Sequence, residues 1–240
     1  MIYVGLDDTD TLDSPGTNQL AKAILGQLAD RFRCVLIIRH QLLDDPRVPY
    51  TSKNGSASIL LEPIDRTNSV SENAICDELF AEFRTALKER FVTGSDPGLC
   101  LAMEVPAEIT EYGRRCQKEL MPQTTARELA EKHRIRLEGL GGTEDGVIGA
   151  LAAIGLAATA NDGRIVQLGT WPDDLAGPEP IDVLHSRNVE VRQLETNEAI
   201  REGMVDVGKH LRPNYRNGRA VLFVKPAETN HAEYEAVRLT

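Results

Sequence analysis

The sequence contains no apolar run approaching the roughly 20 residues that a membrane-spanning helix needs. Its opening, Met1-Ile2-Tyr3-Val4-Gly5, reaches acidic residues at Asp7 and is expected to form a first strand, not a signal peptide. An excess of basic residues is missing as well. With a formal net charge of −10, the chain lacks the global positive field that independent tight binding to nucleic acid requires, although a local basic patch is compatible with it. The four cysteines, Cys34, Cys76, Cys100 and Cys116, form no C-x-x-C pair, which argues against structural zinc and dithiol redox motifs. They are expected to be buried or half-buried thiols in a reducing, cytoplasmic setting. The histidines, His40, His133, His185, His210 and His231, lack metal-ligand spacing and are read as structural or surface residues. No G-x-x-x-x-G-K-[ST] occurs, so the chain is not a P-loop enzyme. Internal repeats and low-complexity tracts are absent too.

What is present suits a folded globular chain. Its 240 residues, 41% hydrophobic and 27% charged, are enough for one large domain or two small ones. Ile2 to Leu6 reads as a central strand, and the segment from Thr17 has apolar residues at helical spacing, with Thr17 or Asn18 suited to cap it. Cys34 to Arg39 and Ala57 to Leu61 read as strands. Asn68 to Phe91 reads as a long amphipathic helix. Leu99 to Val105 reads as a further strand, and Glu108 to His133 as helix with a break at Pro122. The stretch from Gly139 to Gly146 is dense in glycine and leads into Val147–Ala158, apolar on every side and so expected to be a buried helix. Arg164 to Leu168 and Arg219 to Val224 read as strands, with Pro172 to Pro180 as a loop. The mixture predicts an α+β or α/β class in two lobes, with a seam between residues 122 and 139.

Chemistry concentrates at the end of the first strand. Gly5-Leu6-Asp7-Asp8-Thr9-Asp10-Thr11 puts three carboxylates into four positions, where like charges repel. A divalent cation relieves that conflict, and magnesium favours one or two carboxylates together with substrate phosphates. Ligands of open α/β sheets also bind beyond the carboxyl ends of strands. The plain alternative is a solvated turn whose acids cap the fold. Ser14-Pro15-Gly16-Thr17-Asn18 then supplies small and hydroxyl-bearing residues at a helix start, where free N–H groups favour phosphate. Acids for a metal beside a helix start for phosphate are what phosphoryl transfer needs. Elsewhere, Trp171 could stack on a ring but reads better as packed against its domain. Arg212, Arg216 and Arg219, interleaved with Tyr215, could hold a carboxylate or phosphate, against a solvated hairpin as the simpler account.

Taken together, Gly5-Leu6-Asp7-Asp8-Thr9-Asp10-Thr11 and Gly16-Thr17 resemble the start of the archaeal tRNA-isoleucine agmatinylcytidine synthetases. Val48-Pro49-Tyr50-Thr51-Ser52-Lys53-Asn54-Gly55-Ser56-Ala57 resembles that family's I-P-Y-K-T-R-G-N-G-A segment. Asp96-Pro97-Gly98 resembles its N-P-G turn, and Gly139 to Gly155 its glycine loop and following helix. The likeness runs in order to about residue 170 and weakens beyond it. It implies an ATP-dependent kinase-like domain over 1–130 and a ferredoxin-like domain over 131–240, giving an α+β chain with a mixed-sheet kinase-like lobe followed by a ferredoxin-like α/β lobe. It implies further that Asp7, Asp8 and Asp10 serve magnesium and ATP. Thr17 matches the family's phosphorylated threonine, though its spacing from Gly16 is shorter. Gly16, Thr17, Asn18, Lys53, Asn54 and Gly55 become candidate nucleotide contacts. Two departures stand out: the family's oligonucleotide-binding fold and zinc ribbon are not expected here, and Glu144 or Asp145 replaces the glycine loop's arginine.

The expectation is therefore an ATP- and magnesium-dependent enzyme that activates an oxygen of its acceptor by phosphoryl transfer. The acceptor would be a small molecule, or tRNA presented with a partner protein, and no membrane is involved. The alternative is a non-catalytic nucleotide-binding or regulatory module that kept the fold and lost turnover.

Overall fold

The computed structural model describes residues 1–9, 17–48, 54–64, 71–90, 92–228 and 231–239, with the side chain of Asn18 outside that set. It is of the α+β class and divides into two compact units, Met1–Thr159 and Ala160–Thr240.

In the first unit the chain forms β1 (Ile2–Asp7), α1 (Thr17–Leu28), β2 (Phe32–Gln41), β3 (Gly55–Pro63), α2 (Glu72–Glu89), β4 (Gly98–Ala102), α3 (Ala107–Cys116), α4 (Gln123–Lys132), β5 (Arg136–Gly139) and α5 (Gly146–Ala158). The strands lie in the order β5-β4-β1-β3-β2, each antiparallel to its neighbours. Residues 2–102 thus form a β-α-β-β-α-β arrangement of ferredoxin-like type, with β1 and β3 in the middle. A ferredoxin-like lobe was expected at 131–240, with the boundary at 130/131. The compact units instead meet at 159/160, because α5 is buried against β1, β3 and β4 and cannot be separated from them.

The two faces of this sheet carry different loads. Ile2, Val4 and Leu6 of β1, with Ile59, Leu61, Leu99 and Leu101 beside them, are fully buried on the face covered by α1 and α2. Ser71 begins α2, its hydroxyl accepting the N–H of Ala74 at 3.3 Å. The opposite face meets α5, eleven of whose thirteen residues are buried, as expected for a helix without a polar side. The approach is close enough to exclude side chains. A methyl group on Gly5 would lie 2.0 Å from the Ala150 carbonyl oxygen, and one on Gly98 2.0 Å from that of Gly146. Helices α3 and α4 lie on α5, each begun by a proline, Pro106 and Pro122, in extended conformation. The expected break at Pro122 is therefore where α4 starts.

The second unit comprises β6 (Arg164–Leu168), β7 (Pro178–Pro180), α6 (Ile181–Ser186), β8 (Val189–Gln193), β9 (Met204–Asp206), β10 (Asn214–Arg216), β11 (Arg219–Pro226) and β12 (Tyr234–Ala236). Strand β11 is its centre: β10 and β12 pair with it antiparallel, and β8 pairs with it parallel. Short strands such as β7, at the end of the proline-rich loop, carry too few residues for a periodic signal. Among the described residues no helix is long and apolar enough to cross a membrane.

Two glycines give a stability test. Gly5→Ala forces a methyl into the α5 backbone and is expected to cost about 3 kcal/mol in urea unfolding. Gly26→Ala, in α1 with open space around it, should stabilise by roughly 0.5 to 1 kcal/mol. Equal effects of the two substitutions would refute the close packing of α5 on β1.

Candidate functional site

Strand β1 delivers its acids to the edge of the sheet by ordinary alternation. Gly5 faces α5, so Asp7, two residues on, faces it as well. A methyl on Gly149 would fall 1.9 Å from Asp7 Oδ2, which puts the Asp7 carboxylate against the first turn of α5, where a helix favours negative charge. The chain then turns abruptly. Asp8 has φ +45°, a left-handed backbone that costs a non-glycine residue of the order of 1 kcal/mol and which Asp tolerates better than most. Thr9 is buried, and its hydroxyl donates to the Thr17 hydroxyl at 3.0 Å. That bond ties the acidic loop to the first residue of α1.

Thr17 is only 8% exposed. Its buried, hydrogen-bonded hydroxyl suits an anchor of the helix start better than a freely accessible phosphoryl acceptor. Asp10, Gly16 and Lys53 lie outside the described residues, and so does the Asn18 side chain, although Asn18 itself belongs to α1. Asn54 stands immediately before β3. Its side-chain amide donates to the Leu43 carbonyl at 2.8 Å, and its own carbonyl accepts from the Leu42 N–H at 2.9 Å. Gly55 lies under Arg39, whose Nη2 would be 2.5 Å from a methyl there. A cation on β2 therefore stands over the start of β3, a neighbour hidden from sequence reading because it comes from another strand.

The register adds polar groups on the α5 face that sequence reading missed. Gly5 pairs with Ser58, and His40 with Ser56, so Asp7, Ser56, Ser58 and His40 share this face. His40 Nε2 and Ser58 Oγ are 2.8 Å apart and fully buried. Ser56 Oγ is buried with no hydrogen-bond partner among the described residues. Tyr112 reaches the Ile148 carbonyl at 3.5 Å, and burial raises its hydroxyl's pKa.

The glycine loop before α5 closes the other side. The Asp96 carboxylate accepts from the backbone N–H groups of Thr143 (3.1 Å), Glu144 (2.6 Å) and Asp145 (3.2 Å), and from the Thr143 hydroxyl. The Asp96 N–H in turn donates to the Asp8 carbonyl at 3.0 Å. Successive N–H groups converging on one point form an anion nest, and here the anion is the protein's own carboxylate. From α4, Arg127 pairs with Glu144 and Gln123 donates to the Thr143 carbonyl at 2.9 Å. Glu144 and Asp145 are thus absorbed in bracing the loop.

Among the described residues no group of three His, Cys, Asp or Glu is arranged to hold a metal ion. The adjacent carboxylates Asp7 and Asp8 suit magnesium bound mainly through substrate phosphates, which needs only one or two protein carboxylates. The thiols do not suit nucleophilic chemistry: burial pushes Cys34 and Cys116 up to about 12, and raises Cys76 and Cys100 too. In the second unit the basic cluster is internally paired. Arg212 meets Asp173 at 2.7 and 2.8 Å, Arg219 meets Glu190, and half-buried Arg216 donates to the Tyr215 carbonyl at 2.9 Å. Trp171 is 43% exposed, with the Arg187 guanidinium 5.3 Å from its ring.

No protein-family model and no curated protein matches the chain. Solved structures do. The crystal structure of a tRNA fluorescent labeling enzyme is similar at 24% identity and TM-score 0.54, over 64% of this chain and 35% of that one. The TiaS-tRNA(Ile2)-ATP complex is similar at 24% identity and TM-score 0.54, over 64% and 36%. Apo TiaS, a tRNAIle2 agmatidine synthetase, is similar at 23% identity and TM-score 0.51, over 64% and 35%. The likeness is one of fold, and this chain spans about a third of the length of those proteins.

The left-handed backbone at Asp8 separates stability from chemistry. Asp8→Gly is expected to keep or raise stability, by up to about 1 kcal/mol in urea unfolding, because glycine adopts that conformation freely. Asp8→Ala, with its Cβ, should fall below it by about 1 kcal/mol. If Ala were the more stable of the two, the strained turn would be refuted.

Proposed function

We propose that the chain is an ATP- and magnesium-dependent enzyme, acting in the cytoplasm, that activates an oxygen of its acceptor by phosphoryl transfer. The observation that carries this reading is the union of the acidic loop with the start of α1, made by the Thr9–Thr17 hydrogen bond at 3.0 Å. It joins carboxylates suited to a phosphate-bound cation with a helix N-terminus suited to phosphate. The fold's likeness to a complex containing ATP and tRNA(Ile2) supports the same reading.

In this mechanism Asp7, Asp8 and Asp10 would hold magnesium together with the ATP phosphates. Bound there, the ion would neutralise phosphate charge during transfer. Thr17 and Asn18 present the first N–H groups of α1 to phosphate, and Gly16 lets the chain approach it. Lys53, next in sequence to Asn54 and Gly55, neutralises charge developing on the transferred group, and Arg39, which lies over Gly55, offers a second cation. The Thr17 hydroxyl serves as a phosphate ligand while it holds the loop. The first turn of α5 lies against Asp7 and covers that side of the site. The activated oxygen is then displaced by an amine or another nucleophile.

The acceptor is a small molecule, or a tRNA presented with a partner protein. A net charge of −10 and an internally paired basic cluster both disfavour unaided RNA binding.

The test is ATP turnover by the purified protein with and without magnesium, with ADP and AMP separated. Metabolite pools and total tRNA are added in parallel. Magnesium-dependent turnover should fall about 100-fold or more in Asp8→Ala, and the stimulating pool identifies the acceptor class. Nucleotide bound without turnover would favour the regulatory module, and absence of both would sink the proposal.

A further inference from the structure

The acidic loop, the turn before β4 and the glycine loop before α5 are far apart in sequence and meet through one residue. Asp96 contributes three kinds of contact. Its carboxylate takes the N–H groups of Thr143, Glu144 and Asp145 and the Thr143 hydroxyl. Its own N–H holds the Asp8 carbonyl at 3.0 Å, next to the residue with φ +45°. Its side chain also occupies the space beside Gly142, where a methyl would lie 2.9 Å from Asp96 Cγ. Immediately after it, Gly98 and Gly146 touch backbone to backbone, and Gly149 touches Asp7.

A nest of three N–H groups is an attractive site for any anion. In an enzyme that binds ATP, such a nest left open would compete for phosphate away from the acids. Asp96 fills it with a charge that is covalently part of the chain. The same residue then fixes, through its N–H, the turn at Asp8 that follows Asp7.

We propose that Asp96 is the positioning residue of the acidic loop. It occupies the anion nest of residues 143–145 as a built-in ligand and thereby holds the Asp8 turn in the arrangement that receives magnesium-ATP. The proposal rests on the functional reading above for its last step alone. The coupling between nest and loop is independent of it. Since Asp96 does not touch the reacting groups, its loss should alter the magnesium requirement more than it alters the fold.

The experiment removes the built-in anion and supplies it from solution. Amide hydrogen exchange is followed by mass spectrometry in the full chain, wild type, Asp96→Ala and Asp96→Asn, with added sodium formate or sodium chloride at equal ionic strength. In Asp96→Ala, exchange in peptides covering residues 5–9 and 139–147 should quicken about tenfold, while α2 is unchanged. Formate, a small carboxylate able to enter the nest, should slow both peptides again, and chloride should not. Asp96→Asn, which keeps the volume but turns one acceptor into a donor, should show a smaller effect without rescue. The magnesium concentration for half-maximal ATP turnover should rise about 10- to 100-fold in Asp96→Ala and fall back with formate.

Exchange that quickens at 139–147 and stays unchanged at 5–9 would overturn the coupling, whatever the activity. A magnesium requirement equal to wild type in a variant with a loosened loop would overturn the positioning role. If Asp96→Ala does not fold, Asp96→Asn carries both comparisons. Wild-type protein without ATP turnover would remove the functional reading, and the exchange comparison would still decide whether Asp96 holds the loop.

Discussion

Between Gly5 of β1 and the Ala150 carbonyl of α5 there is no room for a methyl group, and the same is true between Gly98 of β4 and Gly146. The rest of the first unit depends on this contact. Backbone-to-backbone packing lets an apolar helix lie directly on the central strands, which buries it almost completely. It also brings the helix's first turn over Asp7. Because the approach is set by main-chain atoms, which cannot rotate away as side chains do, the site's geometry is built into the core packing.

The acidic loop is held from two directions. On one side Thr9 and Thr17 share a buried hydrogen bond, which ties the end of β1 to the start of α1. On the other, Asp96 joins the Asp8 carbonyl to the nest before α5. A loop crowded with carboxylates would otherwise spread to relieve repulsion. Held in this way, Asp7 and Asp8 stay at the end of β1 beside the start of α1, where a cation with bound phosphates would suit them.

The glycine loop has a role different from the one its composition suggests. Loops of this kind ahead of a helix often receive a ligand's phosphate. Here Asp96 already occupies the amides, and Glu144 and Asp145 are engaged with Arg127 and Gln123 of α4. A loop whose amides are filled from within stiffens the site and does not add a second phosphate position. The phosphate-binding part of the proposal therefore falls to the start of α1 and to Lys53.

Much of the local structure was legible in the sequence. Apolar runs marked β1, β2, β3 and α5, apolar residues at helical spacing marked α1 and α2, Pro122 marked the break before α4, and Asp7-Asp8-Thr9-Asp10 marked where negative charge accumulates. These signals are local, since each depends on residues a few positions apart. The short strands β7, β9, β10 and β12 were not legible, because three residues carry no period. Nor could sequence show that Asp96 would fill the nest at 143–145, that His40 and Ser58 would pair, or that Arg39 would lie over Gly55. The ferredoxin-like arrangement over residues 2–102, and the attachment of α5 to it, were likewise decided by strand pairing and close packing. Sequence by itself determined which segments form and where charge accumulates. Only the tertiary structure decided which distant groups meet, because backbone pairing and glycine-sized gaps act between residues that sequence order keeps apart.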